Sequence, residues 1–255
     1  MLELTFLGTG TSSGIPVIGC ECAVCRSDDP RDKRTRTSAV VRDGERVILI
    51  DTATELRQQA LDNRLDRIDA VLMTHAHADH TGGLDDLRRF NELAQAHLPM
   101  YADPVCAGML RERYAYAFVD QYPFYGGKPD LNLHEADGPF DLFGRTVTPV
   151  PIMHGRLPIV GYRIGDLGYV TDAKTIPEAS LDLLRGLDVL VLNTLRERPH
   201  PTHLSLAEAL AVIGQVAPRR AFLVHLGHEL GHARAESLLP PGVTVAHDGL
   251  TIQTE

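Results

Sequence analysis

A short stretch of the chain concentrates side chains that can bind a metal ion. Four of them fall within six residues, and they are His75, His77, Asp79 and His80. The apolar run of residues 70–73 precedes them, which predicts a buried strand that delivers the cluster into a loop. Imidazole and carboxylate together suit zinc, manganese or iron, and crowding them without a metal costs desolvation free energy. A solvated, histidine-rich helix N-terminus is the alternative, but it does not explain why more histidines and aspartates follow later strands.

A second cluster lies near the start of the chain, where Cys20, Cys22 and Cys25 form a C-x-C-x-x-C array. In a reducing compartment this spacing predicts three ligands of a tetrahedral structural zinc site, with the fourth ligand from elsewhere. A redox-active C-x-x-C pair is the alternative, although Cys20 has no part in such a pair. Cys106 lies in a helical pattern and is predicted to be a small buried hydrophobe.

Several later apolar segments also end at a residue that could reach a metal. Each has the length of a buried strand, and the residues at their ends are Asp51, His154, Asp172 and His225. An unpaired carboxylate would be costly there, so we interpret Asp51 as a partner that orients a ligand histidine. Asp172 is suited to bridge two metal ions. His203 precedes an apolar helix predicted over residues 205–216, and the role of His200 stays ambiguous because it lies so close to His203.

Two segments have two interpretations each. The glycine-rich loop of residues 8–14 either offers backbone amides to an oxyanion or phosphate or only connects two strands. Residues 114–129 are rich in aromatic side chains. They form either a lid or substrate wall beside the metal, or a packing or homodimer contact.

Composition limits the partners of the chain. The net charge of −9 disfavours nucleic acid as a partner, because general affinity for nucleic acids rests on Lys and Arg neutralising phosphates. No apolar run approaches the roughly 18 residues that span a bilayer, and the N-terminus lacks the basic region of a signal peptide. We therefore expect no membrane partner and a cytoplasmic location, where disulfides are rare. No linker or repeat divides the sequence, so residues 1–255 are expected to form a single domain.

The metal-binding run and the later strand-end residues together resemble the metallo-β-lactamase superfamily across nearly the full chain. The resemblance implies an α/β fold, a four-layer αββα sandwich of two mixed sheets flanked by helices, with a dinuclear site on one edge. It also implies a division of the ligands. One metal ion would be held by His75, His77 and His154, and the other by Asp79, His80 and His225, with Asp172 bridging the two. Asp51 matches the aspartate that orients a ligand histidine in that superfamily.

A narrower resemblance rests on the cysteine array. Together with His228, Cys20, Cys22 and Cys25 resemble the structural zinc site of the phosphoribosyl cyclic phosphate phosphodiesterases of the carbon–phosphorus lyase pathway. The synthesis proteins of the pyrroloquinoline quinone pathway share that array. His203 matches a histidine near the leaving group in the phosphodiesterases. The aromatic segment departs from their pattern and looks more like a bacterial subgroup of these hydrolases.

The resemblance implies a metal-dependent phosphodiesterase. A hydroxide that bridges two divalent ions, zinc or manganese, would attack a small or cyclic phosphodiester. Asp79 would take part as a ligand in the catalytic centre and His203 would protonate the leaving group. A further zinc ion would be structural. The alternatives are a nuclease of the tRNA-maturation type, which the acidic charge disfavours, an iron-dependent oxygenase of the quinone-pathway type, and a non-catalytic zinc-binding module.

Overall fold

Fourteen strands build the framework of the protein. The computed structural model describes residues 1–119 and 127–255. The strands are β1 (Glu3–Gly8), β2 (Ser38–Asp43), β3 (Arg46–Ile50), β4 (Ala70–Leu72), β5 (Leu98–Ala102), β6 (Leu131–Glu135), β7 (Phe140–Leu142), β8 (Arg145–His154), β9 (Leu157–Ile164), β10 (Leu167–Val170), β11 (Val189–Asn193), β12 (Arg220–Val224), β13 (Val243–Val245) and β14 (Thr251–Gln253).

Between these strands, residues 1–119 and 127–255 contain eight α-helices. They are α1 (Leu56–Asp62), α2 (Ala78–Thr81), α3 (Leu87–Ala94), α4 (Pro104–Arg113), α5 (Ala115–Phe118), α6 (Glu178–Leu183), α7 (Leu206–Val216) and α8 (His232–Glu236), and short 3₁₀ turns cover Pro30–Asp32 and Leu84–Asp86. Within the described part of the chain, no helix combines the length and apolar character that crossing a membrane requires.

The strands form two seven-stranded sheets with the same internal plan. The first has the order β14-β1-β2-β3-β4-β5-β6 and the second the order β13-β12-β11-β10-β9-β8-β7. In each sheet the strands of one half pair antiparallel. The other half, β3 to β6 in the first sheet and β10 to β13 in the second, pairs in parallel. The carboxyl ends of parallel strands share one edge of a sheet, where sites are commonly built.

Three apolar layers join the sheets and helices. One lies between the sheets, where the rings of Phe6 and Phe222 are 5.8 Å apart. A second packs α3 and α4 against the first sheet, and a third packs α6 and α7 against the second. Sheets covered on both faces bury their apolar strands completely. The predicted four-layer αββα sandwich is confirmed.

The strand ends agree with the sequence prediction at β8 but not at β10. β8 ends at His154, which pairs with Leu157 across the β8–β9 turn. β10 ends at Val170, two residues before Asp172, so Asp172 does not close that strand as predicted. α7 begins at Leu206 because Ser205 is its N-cap, with Glu208 completing a reciprocal capping box.

The described part of the aromatic segment packs on the first sheet's helical layer. The hydroxyl of Tyr114 donates to the carbonyl of Thr81, and that of Tyr116 donates to Asp85. These hydrogen bonds favour packing within the chain as the role of this part of the aromatic segment. Residues 120–126, the central part of the predicted lid or substrate wall, lie outside the described residues.

Candidate metal centre

The candidate site lies where strand ends of both sheets meet. Asp51 and His75 follow the parallel strands β3 and β4 of the first sheet, and Asp172 and His225 follow β10 and β12 of the second. The hydroxyl of Tyr162 on β9 donates to the carbonyl of Met73 at 2.7 Å, and the amide of Val160 donates to the carbonyl of Thr74 at 3.2 Å. The ligand-bearing loop of one sheet is therefore fixed directly to the other sheet.

Three of these strand-end residues have left-handed backbone. The φ angles of Asp51, Asp172 and His225 are 61°, 58° and 61°. Residues other than glycine rarely adopt these backbone angles, and each one that does costs about 1–3 kcal/mol of strain. The turn redirects each chain just past its strand, which brings all three side chains into one buried place. Strain of this kind concentrated at a polar cluster is typical of a functional site.

The candidate ligands form two adjoining groups. One consists of His75, His77 and His154, and the other of Asp79, His80, Asp172 and His225; within each group the ligand atoms lie within 4.8 Å of one another. Nε2 of His75 is 3.0 Å from Nδ1 of His77. The carboxylate of Asp172 lies 3.3 Å from Nε2 of His80 and 3.2 Å from Nε2 of His225. The structure thus brings together all seven residues that were predicted as catalytic-site ligands.

Two histidines of the second group have ring nitrogens without a well-directed hydrogen bond. Nε2 of His80 and both ring nitrogens of His225 are buried and make no hydrogen bond of good geometry among the described residues, although Asp172 lies 3.3 and 3.2 Å from the two Nε2 atoms. Leaving such an atom unpaired costs about 1–3 kcal/mol. A divalent ion would accept the lone pair of one nitrogen from each ring and offset the buried carboxylates of Asp79 and Asp172. The residues present therefore fit a metal ion.

Charge and burial set the protonation of the ligands. Burial alone would lower the pKa of His80, but Asp172 and Asp51 raise it well above its usual range, so a bound ion would have to displace a proton from this imidazole. Burial lowers the pKa of His75 well below its usual range, and burial also lowers the pKa of His77, so both are neutral imidazoles. Burial alone would raise the pKa of Asp172, but the nearby His225 and His80 lower it well below its usual range. Asp172 is therefore a carboxylate, the form that a cation requires.

Hydrogen bonds behind the ligands set their orientation. Nδ1 of His80 donates to Asp51 at 2.7 Å, and Asp51 also accepts from the amide and hydroxyl of Thr74, at 2.8 and 2.7 Å. Nδ1 of His154 donates to the carbonyl of Thr202 at 2.8 Å. Such partners leave Nε2 of each histidine facing the metal site. Asp51 lies beside a ligand histidine, as the sequence predicted. The supporting contacts of Thr74 and Thr202 were not predicted, and the only sequence signal for them is that these residues precede His75 and His203.

We expect Asp51→Asn to weaken metal binding by about 10- to 100-fold, because an amide has one acceptor oxygen where the carboxylate has two, and its NH₂ group would face one of the three donors of His80 and Thr74. Competition between the protein and a chromogenic chelator measures this change. Metal affinity equal to that of the wild type would show that Asp51 has no orienting role. Asp182→Asn, at an exposed position on α6, is the matched control.

His203 lies against the second ligand group. Its Nε2 is 3.1 Å from Asp172, and its ring centroid is 4.6 Å from that of His154 and 4.8 Å from that of His225. His154, Asp172 and His203 also form a third group whose ligand atoms lie within 4.8 Å. The structure therefore places His203 beside the candidate metal centre. The ring of His200 is 5.2 Å from that of His203.

The predicted cysteine array converges with His228. The sulfurs of Cys20, Cys22 and Cys25 lie 3.2, 3.5 and 3.6 Å from Nδ1 of His228. Tetrahedral zinc ligated by sulfur and nitrogen would separate these atoms by about 3.5 Å. A backbone hydrogen bond from Cys25 lowers the pKa of Cys22 to about 6, while burial raises that of Cys25 to about 11. We call these four residues the cysteine–histidine cluster. Cys106 is buried in α4, as predicted.

The glycine-rich loop uses its amides within the protein. The amide of Gly10 donates to Thr35 at 2.8 Å, that of Thr11 donates to Leu226 at 3.0 Å, and that of Gly14 donates to Thr11 at 2.8 Å. These donors are not free for an anion, which favours the connecting role. The hydrogen bond from Thr11 to Leu226, the residue after His225, also holds the loop that follows β1 beside the second ligand group.

Comparison with known proteins agrees with this geometry. The family described as "Beta-lactamase superfamily domain" matches residues 46–226. The crystal structure of a diphosphatase from the PhnP family is 39% identical, with a TM-score of 0.93, and the match covers 100% of this chain and 98% of that one. The Zn²⁺-bound PqqB of Methylobacterium extorquens is 22% identical with a TM-score of 0.79, over 98% of this chain and 99% of that one, and shows the shared fold alone.

A longer relative matches only in part. An octanoyltransferase of Porphyromonas gingivalis is 44% identical over 255 residues, which is 98% of this chain and 51% of that protein. The chain thus spans about half the length of that relative. The family match, the αββα sandwich and the histidine–aspartate site on its edge lead to one conclusion: the chain belongs to the metallo-β-lactamase superfamily and resembles the metal-dependent hydrolases of the PhnP family.

Proposed function

We propose that this protein hydrolyses small phosphodiesters, among them cyclic diesters and diphosphate diesters. The observation that carries the proposal is the place of Asp172. Its carboxylate lies within 4.8 Å of ligand atoms of His154, from one group, and of Asp79, His80 and His225, from the other. A carboxylate shared by two ligand groups is what a pair of divalent ions requires. Similarity to a PhnP-family diphosphatase over the whole chain supports hydrolysis at phosphorus.

The two ions would be zinc or manganese. One would be held by His75, His77 and His154, and the other by Asp79, His80 and His225, with Asp172 between them. When bound, such ions supply Lewis acidity toward phosphoryl oxygens and lower the pKa of a water molecule. Asp51 and the carbonyl of Thr202 hold His80 and His154 in the orientation this requires.

His203 is placed to protonate the leaving oxygen. It is 9% exposed, and its Nε2 faces Asp172 from outside the two ligand groups. A substrate whose phosphorus lies over Asp172 would therefore bring its leaving oxygen near this imidazole. Proton transfer to that oxygen in the transition state typically contributes 10²–10⁴-fold.

His203→Ala should therefore affect poor leaving groups more than good ones. For a diester with an alkoxide leaving group we expect kcat to fall by about 10²–10⁴-fold, and for a p-nitrophenolate diester to change little. Steady-state kinetics on both substrates measures the difference. Equal losses on the two would exclude the proton-donor role. His97→Ala, at an exposed histidine paired with Asp130, is the control.

The cysteine–histidine cluster is proposed to hold one structural zinc ion. Its donor set of three thiols and one imidazole is closed, which is typical of structural rather than catalytic zinc. The cluster ties residues 20–25 to His228, three residues after the ligand His225. A cytoplasmic location, also part of the proposal, would keep these thiols reduced.

A substrate panel tests the proposed function. Purified protein loaded with zinc, manganese or iron would be given bis(p-nitrophenyl) phosphate, a 2′,3′-cyclic nucleotide, a dinucleoside diphosphate and a precursor tRNA, with oxygen uptake recorded in parallel. We expect turnover of the small diesters with zinc or manganese. Cleavage of the tRNA alone would favour the nuclease, and iron-dependent oxygen uptake without hydrolysis would favour the oxygenase.

A further inference from the structure

Thr202 contacts three histidines through three different polar groups. Its carbonyl accepts from Nδ1 of His154 at 2.8 Å. Its amide donates to Nδ1 of His200 at 3.3 Å. Its hydroxyl lies 3.0 Å from Nδ1 of His203 and 3.1 Å from Nδ1 of His200. Thr202 therefore contacts the candidate metal ligand His154, the candidate proton donor His203 and the neighbouring His200 at the same time.

These contacts favour one arrangement of protons. Nδ1 of His203 also lies 3.3 Å from Nδ1 of His200, but a neutral His203 with its proton on Nδ1 would turn the lone pair of Nε2 toward the carboxylate of Asp172. His200 accepts the amide of Thr202 at Nδ1, so that nitrogen carries no proton and its own hydrogen is on Nε2. Nε2 of His203 faces the carboxylate of Asp172 at 3.1 Å, which requires a proton on Nε2. Nδ1 of a neutral His203 is then an acceptor, and the hydroxyl of Thr202 is the donor beside it. The hydroxyl proton therefore goes to His203 rather than to His200.

We propose that Thr202 is a positioning residue whose hydroxyl fixes His203 in the tautomer with its proton on Nε2. In that tautomer the proton faces Asp172 and the reacting side of the site. Without the hydroxyl, Nδ1 of His203 loses its donor, and the proton can move to Nδ1, where it points away from the leaving group. The catalytic consequence rests on the proposed function, whereas the tautomer itself does not.

Two substitutions separate this role from simple packing. The methyl carbon Cγ2 of Thr202 lies against Gly155, only 2.9 Å from where a Cβ on that glycine would stand. Thr202→Val keeps the methyl group and replaces the hydroxyl with a second methyl, whereas Thr202→Ser keeps the hydroxyl and removes the methyl. If Thr202 acts only by packing, Thr202→Ser should reduce activity more than Thr202→Val. If its hydroxyl positions His203, Thr202→Val should reduce activity more than Thr202→Ser.

The tautomer of His203 can be measured by ¹⁵N–¹H correlation NMR of the zinc-loaded protein, labelled with ¹⁵N at its histidine rings. The signals of His203 are those that are absent from the spectrum of His203→Ala. We expect His203 to carry its proton on Nε2 in the wild type and in Thr202→Ser, and to shift toward the Nδ1 tautomer in Thr202→Val. Zinc content should stay the same in all three, since His154 bonds to the backbone carbonyl of Thr202.

Kinetics provides the second readout. For an alkoxide-leaving diester we expect kcat of Thr202→Val to fall by about 10- to 100-fold, with little change for p-nitrophenolate and near wild-type rates for Thr202→Ser. An unchanged tautomer in Thr202→Val, or greater damage in Thr202→Ser, would overturn the proposal. If the wild type hydrolyses no phosphodiester, the proposed function fails while the NMR result still decides the role of Thr202.

Discussion

Asp172→Asn should lower kcat/KM for an aryl phosphodiester by roughly 10³-fold, because the carboxylate that adjoins both ligand groups loses its charge. Asparagine suits the test, since it preserves the size of the side chain and tolerates the left-handed backbone at this position. The fold should therefore persist while the site loses the carboxylate that lies 3.3 Å from Nε2 of His80 and 3.2 Å from Nε2 of His225.

Metal analysis separates the causes of that loss. We expect the bound catalytic metal to fall along with activity, while the zinc assigned to the cysteine–histidine cluster is retained. Asp182→Asn should leave both quantities unchanged, because Asp182 is exposed on α6 and pairs with Arg185. Wild-type turnover and metal content in Asp172→Asn would exclude a carboxylate shared by two ions.

The sequence could predict which side chains the fold brings together, because the prediction depends on residue type and on position at strand ends. His75, His77, Asp79 and His80 lie together after β4 of the first sheet, and the parallel strands β10 and β12 of the second sheet lead to Asp172 and His225. Both signals are local and periodic. The buried strands were predictable for the same reason, since β10, β11 and β12 are largely apolar runs typical of buried parallel strands, whereas the four-layer arrangement was predicted from the resemblance to the superfamily.

What the sequence could not show depends on three-dimensional contacts. No sequence pattern predicts the left-handed backbone of Asp172, two residues beyond β10, or of His225, because neither residue is a glycine. The hydrogen bond between Nδ1 of His154 and the carbonyl of Thr202 arises only when the loop before α7 folds onto the end of β8. The glycine-rich loop resembled an anion site because its glycines are visible in the sequence, while the carbonyls that occupy its amides are not.

Cys22→Ser is expected to destabilise the fold more than it impairs the chemistry of each remaining folded molecule. Cys22 lies 3.5 Å from Nδ1 of His228, and its sulfur also accepts the amide of Cys25 at 3.4 Å. Serine is a poor zinc ligand, so the cluster should lose its ion and the tie between residues 20–25 and the strand-end region that follows β12. A loss of about 3 kcal/mol corresponds to a fall in Tm of roughly 6–12 °C for a chain of this size.

Zinc stoichiometry and calorimetry test this effect together. Cys22→Ser should bind one zinc ion fewer than the wild type, and kcat per active site below its Tm should change little because none of the seven candidate catalytic ligands is altered. Cys106→Ala is the matched control, since Cys106 is buried in α4 among apolar side chains and outside the cluster. It should keep the full zinc count and show the cost of losing a buried sulfur alone. An unchanged zinc count in Cys22→Ser would show that the cysteine–histidine cluster is held by its own hydrogen bonds and not by a metal ion.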